Sequence, residues 1–262
     1  MSPKFAPHPD RRVAAVSGAS SGIGAATARA LAAAGHAVVL GARRVELCEE
    51  IAAEICADGG EAVAARLDVT DPASVKDFAA AAAELGDVDV LVSSAGDVLL
   101  HSSHGVDPAD FAAQVDLNLV GAQRLVSQFV PAMVERRRGD VVLVTSDSVR
   151  LPRPLMSAYV ASKWGLEGMA RTLQMELEGT GVRASIVRPG PTLTGMGSTW
   201  TTEMLQPAVD AWLQWGLARH GNFLAPEHMA AAVLAAVSMP RGAHVTLIEV
   251  EPEAPIRSEE QP

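Results

Sequence analysis

Short runs of aliphatic and β-branched residues recur along the chain, and such runs are typical of buried strands. They lie at 13–16, 37–40, 62–67, 88–92, 141–145, 182–187 and 245–250. Alanine- and leucine-rich stretches with helical periodicity separate most of them, at 25–34, 45–57, 75–85, 111–134 and 158–177. Because strands that alternate with helices form parallel sheets, this pattern predicts an α/β fold, a doubly wound parallel sheet with helices on both faces.

The alternation continues without a low-complexity linker or an internal repeat, which predicts a single domain over residues 11–252. We expect flexible tails at 1–10 and 253–262. The first twelve residues contain three prolines and no apolar segment, so they do not resemble a secretion signal or an anchor. No run approaches the roughly 18 apolar residues of a membrane-spanning helix, and we expect no membrane partner.

The charge of the chain argues against nucleic-acid binding. Lysine and arginine number 21 against 31 aspartate and glutamate residues, a formal charge of -10, whereas phosphate binding requires a basic face. We expect the basic run at 136–138 to be a solvated last turn of a helix. Cys48 and Cys56 would lie about 12 Å apart on one helix, too far for a disulfide, which fits a cytoplasmic protein. His101 and His104 have no acid or cysteine at ligand spacing, so we expect no metal site.

The segment SGASSGIG at 17–24 follows the first predicted strand and leads directly into an alanine-rich helix. Glycines at Gly18, Gly22 and Gly24 let the backbone turn sharply and approach a pyrophosphate, whose charge then lies at the amino terminus of the helix. A glycine triplet alone also occurs at simple strand-to-helix turns. Its position in the first βαβ unit predicts a nucleotide-binding loop. The residues between the glycines are further candidate contacts, namely Ser20, Ser21 and Ile23.

Further motifs stand in order: LDV at 67–69, SAG at 94–96, DLNLVG at 116–121, Ser146, SAYVASK at 157–163 and PG at 189–190. With the G-x-x-x-G-I-G spacing, they resemble the short-chain dehydrogenase/reductase family over residues 12–250. The resemblance implies a Rossmann-like fold, an NAD(P)-dependent oxidoreductase, and a homo-oligomer that is a dimer or a tetramer. It also implies cofactor contacts from Asp68, Val69, Ala95, Gly96, Tyr159, Lys163, Pro189, Gly190, Thr192 and Thr194.

Tyr159 and Lys163 lie one helical turn apart. An isolated pair of this kind is typical of a tyrosine packed on a lysine stem. The family resemblance implies instead that Tyr159 exchanges a proton with the substrate oxygen, its pKa lowered by the ammonium and by the nicotinamide charge. It assigns Lys163 also to the nicotinamide ribose, Ser146 to the substrate oxygen, and Asn118 to a water that links Lys163 to solvent. Ser148 is the weaker candidate, because the family spacing to the tyrosine selects Ser146.

Some positions depart from the family pattern. Ser93 and Ser94 replace an asparagine pair, and Ser185 stands where asparagine is common. Serine reaches less far than asparagine, which weakens the expectation of a rigid cofactor loop. Asp147, directly after Ser146, is unusual in a tight active-site turn, and we expect it on the surface of a loop.

The end of the second predicted strand indicates NADP(H) rather than NAD. An NAD site usually places an acid there, to bind the ribose 2′-hydroxyl. Ala42 occupies that position and Arg43 follows it, and a guanidinium binds a 2′-phosphate by charge-assisted hydrogen bonds. Ser21 stands where a second basic residue is common in the glycine loop. In the family pattern Asp68 accepts the adenine amino group and Val69 packs nearby.

The segment 193–217 carries large apolar side chains, Met196, Trp200, Met204, Leu205, Trp212 and Trp215. In the family that the chain resembles, this segment is a mobile lid over the substrate. We therefore expect hydride transfer between NADP(H) and a carbonyl or secondary alcohol, with a hydrophobic ketone as the substrate. Core or subunit packing of the segment is the alternative. Arg150 and Arg153 leave open a 3-oxoacyl thioester on an acidic carrier. A non-catalytic nucleotide-sensing protein is a further hypothesis, against which the intact Ser, Tyr, Lys and Asn set argues.

Overall fold

The computed structural model describes residues 7–9, 11–197, 200–218 and 220–256. Within these ranges one parallel sheet has the strand order β3-β2-β1-β4-β5-β6-β7. The strands are β1 (Val13–Ser17), β2 (Ala37–Ala42), β3 (Glu61–Arg66), β4 (Val88–Ser93), β5 (Gly139–Val144), β6 (Val182–Pro189) and β7 (Leu247–Val250). The predicted doubly wound α/β fold is therefore confirmed. The predicted tails at 1–6, 10 and 257–262 lie outside the described residues.

Helices cover both faces of this sheet. They are α1 (Gly22–Ala33), α2 (Val45–Ala57), α3 (Pro72–Glu84), α4 (Pro108–Val115), α5 (Gly121–Glu135), α6 (Ser157–Glu176), α7 (Thr202–Gln214) and α8 (Pro226–Ser238). One face packs against α1, α2 and α8, and the other against α3, α5 and α6. The apolar pattern does not predict α8, because alanine occupies exposed positions such as Ala231 and Ala235 as well as buried ones, which leaves a weak amphipathic period.

Alternate residues of β1 show how the two cores form. Val13 and Ala15 pack with the helices of one face, whereas Ala14 and Val16 pack with those of the other. All four are at most 2% exposed. A strand that is buried on both faces is apolar at most positions, which explains the continuous apolar runs in the sequence.

Two of the helices begin with the same local arrangement. Asp71 precedes α3 and accepts a hydrogen bond from the Ala73 amide at 2.9 Å. Asp107 precedes α4 and accepts one from the Ala109 amide at 2.8 Å. A proline follows each aspartate, and both features favour the first turn of a helix.

Two arginines of the basic run after α5 contact the neighbouring strand β4. Arg136 donates to the Val88 carbonyl at 2.8 Å, and Arg138 pairs with Asp89 at 2.8 Å. The Asp89 side chain is buried, so this pair lies at the edge of the core. The prediction of a solvated turn is wrong for Arg136 and Arg138, which tie the end of α5 to β4, whereas Arg137 is exposed.

The two cysteines share one helix, as predicted. Cys48 and Cys56 both lie on α2 and are free thiols, the first buried and the second exposed. Burial raises the pKa of Cys48 to about 11, so this residue packs as a neutral side chain. Among the described helices, none is long and apolar enough to cross a membrane.

A buried charge cluster joins the amino-terminal ends of the central strands. Asp140 of β5 accepts hydrogen bonds from Arg12 and from Arg183 of β6, each at 2.7 Å. His36 lies 3.5 Å from the Arg12 guanidinium, and His8 lies 3.0 Å from that of Arg183. His8, within the predicted amino-terminal tail, therefore contacts the fold.

The same cluster lowers the pKa values of its two histidines. Burial is the first cause for both His8 and His36, and the Arg12 charge adds to it. Asp140 opposes the shift at His8, and Asp89 opposes it at His36. The folded protein therefore binds protons at these imidazoles less readily than the unfolded chain does.

We expect the free energy of unfolding to fall as pH is lowered from about 7 to about 5, across the ordinary histidine pKa of ~6.5. The unfolded chain gains more protons over this interval, and acidification therefore favours unfolding. His36→Gln removes one of these groups, so its Tm should fall less with acidification than that of the native protein. His104→Gln, on an exposed loop, is the control. Equal acid sensitivity of native protein and His36→Gln would contradict this account of the cluster.

Candidate active site

A cavity of about 960 Å³ opens at the carboxyl ends of the strands. β2 and β3 lie on one side of β1, whereas β4 to β7 lie on the other side, so the strand order reverses between β1 and β4. Ligands of doubly wound sheets bind in the crevice at such a reversal. All the cofactor contacts predicted from the sequence line the cavity: Gly18, Ser20, Ser21, Gly22, Ile23, Gly24, Arg43, Asp68, Val69, Ala95, Gly96, Tyr159, Lys163, Pro189, Gly190, Thr192 and Thr194.

The glycine loop between β1 and α1 is closely packed. Gly18 has a φ of +69°, and a Cβ there would lie 2.8 Å from the Ala95 amide nitrogen. A Cβ on Gly24 would meet the Gly18 carbonyl oxygen at 2.3 Å. A side chain fits at neither position, so the loop brings bare backbone to the amino terminus of α1. Ser21 precedes that helix without capping it through its side chain, which leaves the first amides to face an anion.

The loop after β4 is tied to β1 by a serine. Ser17 accepts hydrogen bonds from the amides of Ser94 and Ala95, at 3.1 and 3.2 Å. Ser185, the other departure from the family pattern, donates to the Val245 carbonyl at 2.6 Å. The Ser17 contacts hold the backbone at Ser94, and the Ser185 contact holds the backbone at Val245; asparagine is common at positions 94 and 185 in the family pattern. The expected loss of rigidity at the cofactor loop is therefore offset by Ser17, which sequence reasoning did not single out.

The end of β2 presents two cations to the cavity. Ala42 leaves the expected acid position without a carboxylate, and Arg43 and Arg44 both line the wall. Arg44 donates to the hydroxyls of Ser20 and Ser21, each at 3.3 Å. Sequence reasoning selected Arg43 and missed Arg44, although both residues of the pair stand in the same short turn.

Asp68 lies beside these arginines with its carboxylate fixed. One of its oxygens accepts hydrogen bonds from the amide and the hydroxyl of Thr70, at 3.0 and 2.7 Å. The hydroxyl contact is the main cause of a lowered pKa for Asp68, and the Arg43 charge also contributes. The residue therefore offers an ionised acceptor at the same end of the cavity.

Ser146, Tyr159 and Lys163 line the same cavity. Ser146 follows β5, and the other two project from the first turns of α6. The Lys163 ammonium donates to the Val144 carbonyl at 2.9 Å and lies 5.7 Å from the centre of the Tyr159 ring. Strand and helix together bring these three predicted residues to one place.

Burial moves the pKa values of Tyr159 and Lys163 in opposite directions. It raises the pKa of Tyr159 to about 12, while a hydrogen bond with Ser146 lowers it, the Asp147 charge raises it and the Arg153 charge lowers it. Burial lowers the pKa of Lys163 to about 8. Both signs follow from removing a charge from water. The expected lowering of the Tyr159 pKa by Lys163 is not found, since the ammonium contacts the ring face and a carbonyl.

Asn118 lies behind the wall rather than on it. The predicted helix at 111–134 contains a π-helical segment, Asp116–Val120, between α4 and α5. Asn118 sits in this segment, 1% exposed, and donates to the Asp97 carbonyl and the Ser162 hydroxyl, both at 3.0 Å. A Cβ on Gly96 would lie 3.0 Å from the Asn118 oxygen and 3.6 Å from the Lys163 nitrogen. Asn118 thus supports the loop next to Lys163.

The three residues of the turn after β5, Ser146, Asp147 and Ser148, lie in different environments. Ser148 is fully buried and does not line the cavity, which agrees with the choice of Ser146. Asp147 is 4% exposed and lines the cavity, so the expected loop-surface position is wrong. Its carboxylate is paired with Arg153, whose Nη1 donates to Oδ1 at 2.9 Å.

Large apolar side chains form the remaining wall. Trp200 and Trp212 line the cavity and pack in one cluster with Met156 and Tyr159. The Trp212 indole donates to the Pro154 carbonyl at 3.0 Å, which fixes the ring. Met196 and Leu217 of the same segment also line the cavity, whereas Met204 and Trp215 are exposed and do not. The apolar segment is therefore only partly directed at the cavity.

The model of the short chain dehydrogenase family matches residues 12–205. Glycine betaine reductase ATRR of Emericella nidulans is 35% identical over 243 residues, 92% of this chain but only 19% of that much longer protein. D-threitol dehydrogenase of Mycolicibacterium smegmatis is 34% identical over 227 residues, 86% of this chain and 85% of that one.

A solved structure is similar over nearly the whole fold. The alcohol dehydrogenase from the archaeon Thermococcus sibiricus, complexed with 5-hydroxy-NADP, superposes with a TM-score of 0.80 at 30% identity, over 94% of this chain and 100% of that chain. Motifs, fold and relatives agree. The chain belongs to the short-chain dehydrogenase family and is an NAD(P)-dependent oxidoreductase.

Proposed function

We propose that this enzyme transfers a hydride between NADP(H) and a carbonyl or secondary alcohol, with a hydrophobic ketone as the substrate to be reduced. The observation that carries the proposal is the convergence of Ser146, Tyr159 and Lys163 on the cavity that also holds the glycine loop. An acid or base, a hydroxyl and a cation at one end of a nucleotide cleft suit proton exchange with a substrate oxygen.

NADP(H) fits this cavity better than NAD(H). The glycine loop between β1 and α1 excludes side chains where a pyrophosphate would lie. At the end of β2, Arg43 and Arg44 face the cavity, and Ala42 offers no carboxylate to repel a 2′-phosphate. The NADP derivative held by the similar archaeal alcohol dehydrogenase supports the same choice.

Bound NADPH supplies a hydride to the substrate carbonyl, and the protein's own residues handle the charge that develops on oxygen. Tyr159, with its pKa raised to about 12, holds a proton at neutral pH and donates it to that oxygen. Ser146 provides a hydroxyl at the same wall. In the family pattern, Lys163 holds the nicotinamide ribose, and its pKa of about 8 lets it carry or release a proton near neutrality.

The apolar wall selects the substrate class in this proposal. Trp200, Trp212 and Met156 present large surfaces next to Tyr159, and such walls bind the apolar body of a ligand. The two arginines give the alternative substrate, a thioester on an acidic carrier, little support, because Arg150 pairs with Glu249 and Glu251 while Arg153 pairs with Asp147.

We further propose a cytoplasmic homo-oligomer, a dimer or a tetramer. Trp164 and Met175 on α6 are 56% and 78% exposed. Two large apolar side chains on the outer side of one helix favour contact with a second copy of the chain.

Tyr159→Phe should lower turnover by about 100-fold to 10,000-fold, the scale for losing an acid or base, while NADPH affinity stays near native. Ser146→Ala should also lower turnover. Ser148→Ala is the matched control, because its hydroxyl lies outside the cavity. Turnover is followed as NADPH oxidation with a panel of ketones. Near-native turnover in Tyr159→Phe would remove Tyr159 from the mechanism.

Arg43→Ala and Arg44→Ala should each weaken NADPH binding by roughly tenfold or more, as expected for a charge-assisted hydrogen bond. NADH binding should change little, and added salt should reduce the difference, since both side chains are exposed. Fluorescence titration measures both affinities. Arg29→Ala, whose side chain pairs with Glu54 on the outer surface, is the control. Equal weakening of both cofactors would refute a 2′-phosphate site.

Trp200→Ala should raise KM for bulky apolar ketones far more than for small ones, because it removes part of the apolar wall. Met204→Ala is the control within the same segment, since Met204 is exposed and outside the cavity. Cofactor affinity should stay native in both variants. If Trp200→Ala changes Tm but leaves the ranking of substrates intact, the segment is structural and the apolar-ketone proposal fails.

A further inference from the structure

Asp147 is a buried carboxylate on the cavity wall that the proposed hydride transfer does not use. Arg153 grips it in a bidentate pair, with Nη1 on Oδ1 at 2.9 Å and Nη2 on Oδ2. The two side chains are 6% and 11% exposed. Stability alone does not explain a buried ion pair at this place, because hydrophobic residues in its position often give the fold the same or greater stability.

The carboxylate also engages the neighbouring catalytic candidate. Ser146 donates its hydroxyl hydrogen to Asp147 Oδ1 at 3.2 Å and accepts a hydrogen bond from the Ser148 amide at 3.2 Å. A serine hydroxyl has one hydrogen and two lone pairs. Its hydrogen is therefore directed at Asp147, one lone pair accepts from the Ser148 amide, and the other is left for the Tyr159 hydroxyl.

The Ser146 hydrogen bond is long for a hydroxyl that donates to a carboxylate. A neutral ketone oxygen is a weaker acceptor than a carboxylate and competes poorly for this hydrogen. The oxygen that gains negative charge as the hydride arrives is a stronger acceptor and draws the hydrogen away. An interaction that strengthens only as charge develops lowers the barrier instead of merely tightening substrate binding.

Charge balance explains the arginine. Asp147 alone would repel both the developing alkoxide and a Tyr159 phenolate, and Arg153 cancels that repulsion. The charged groups that face the phenol are Lys163 at its ring face, Asp147 and Arg153. Glu251 lies beyond Arg153 and acts on that guanidinium.

We propose that Asp147 and Arg153 are a positioning pair for the active site: Asp147 orients the Ser146 hydroxyl, and the balance of the two charges sets how firmly Tyr159 holds its proton. The inference rests on the proposed roles of Tyr159 and Ser146. The pair takes no part in bond exchange, since the carbonyl carbon gains the hydride from NADPH and the oxygen gains its proton from Tyr159.

The chain contains a single tyrosine, so tyrosinate absorbance in the near ultraviolet reports Tyr159 alone. The experiment titrates the NADP⁺-saturated protein with alkali and follows circular dichroism in the same samples. Asp147→Asn keeps an oxygen that Ser146 can contact and removes the negative charge. Arg153→Met removes the positive charge, and the double variant removes both. Arg150→Met, an arginine with a half-exposed side chain three residues away, is the matched control.

Asp147→Asn should form tyrosinate at a pH lower than the native protein by roughly one unit, the scale of one nearby charge. Arg153→Met should shift the titration to higher pH or retain the phenol until unfolding. The double variant and Arg150→Met should titrate near the native protein. A purely structural role would not shift the two single variants in opposite directions.

Tyrosinate that forms in Asp147→Asn no earlier than in the native protein, or only as the circular dichroism of the fold is lost, would overturn the proposal. Shifts of the same sign in both single variants would also overturn it. The titration uses no substrate, so this failure is distinct from failure of the proposed function, which the turnover of Tyr159→Phe decides.

Discussion

The structure depends on the contact between two loops at the point where the sheet reverses its strand order. Gly18, at the end of β1, leaves no room for a side chain against the backbone of Ala95, which follows β4. Ser17 holds the same pair of loops together through two amides. The first loop presents backbone amides to an anion, and the second leads to Gly96, which lies against Asn118 and Lys163. One close approach therefore places the phosphate end and the reactive end of the cleft relative to each other.

Burial of the reactive groups then determines their chemistry. Tyr159 retains its proton and Lys163 loses some of its affinity for one, because burial removes both groups from water. At Tyr159 burial outweighs the Ser146 hydrogen bond and the Arg153 charge, both of which favour the phenolate. The protein by itself thus favours an acid at the substrate oxygen. Asp147 and Arg153 add a balanced pair of charges next to this acid, so small changes in that balance act on the proton that the reaction moves.

Much of the fold could be predicted from the sequence, because strands buried on both faces are apolar along most of their length. The seven apolar runs all correspond to strands of the sheet. The helix α8 could not be predicted in this way, since alanine stands at exposed as well as buried positions and leaves little amphipathic contrast. Within the helix predicted at 111–134, the π-helical turn at Asn118 leaves no mark in hydrophobic periodicity. In this turn the Asn118 side chain bonds to Asp97 and Ser162, partners that the sequence does not reveal.

The site was predictable where a residue's position in a short sequence motif alone places it at the cavity, as for the glycine loop and the Tyr159 and Lys163 pair. Residues whose role depends on a partner side chain were not predictable. Asp147 was expected on the surface because its pairing with Arg153 could not be read from spacing alone, and the contacts of Arg44 with Ser20 and Ser21 appear only in the structure. Met204 was predicted as part of the apolar lid but lies outside the cavity, because helical spacing of apolar residues does not show which side chains face a ligand.

The central claim is that one cleft orders the cofactor with its phosphates at the glycine loop and its nicotinamide at Tyr159. A crystal structure of the protein with NADPH tests it most directly. The account predicts the pyrophosphate at the amino terminus of α1, the 2′-phosphate between Arg43 and Arg44, and the nicotinamide ring beside Tyr159 and Lys163. NADPH bound in the reverse direction, or outside this cleft, would contradict it.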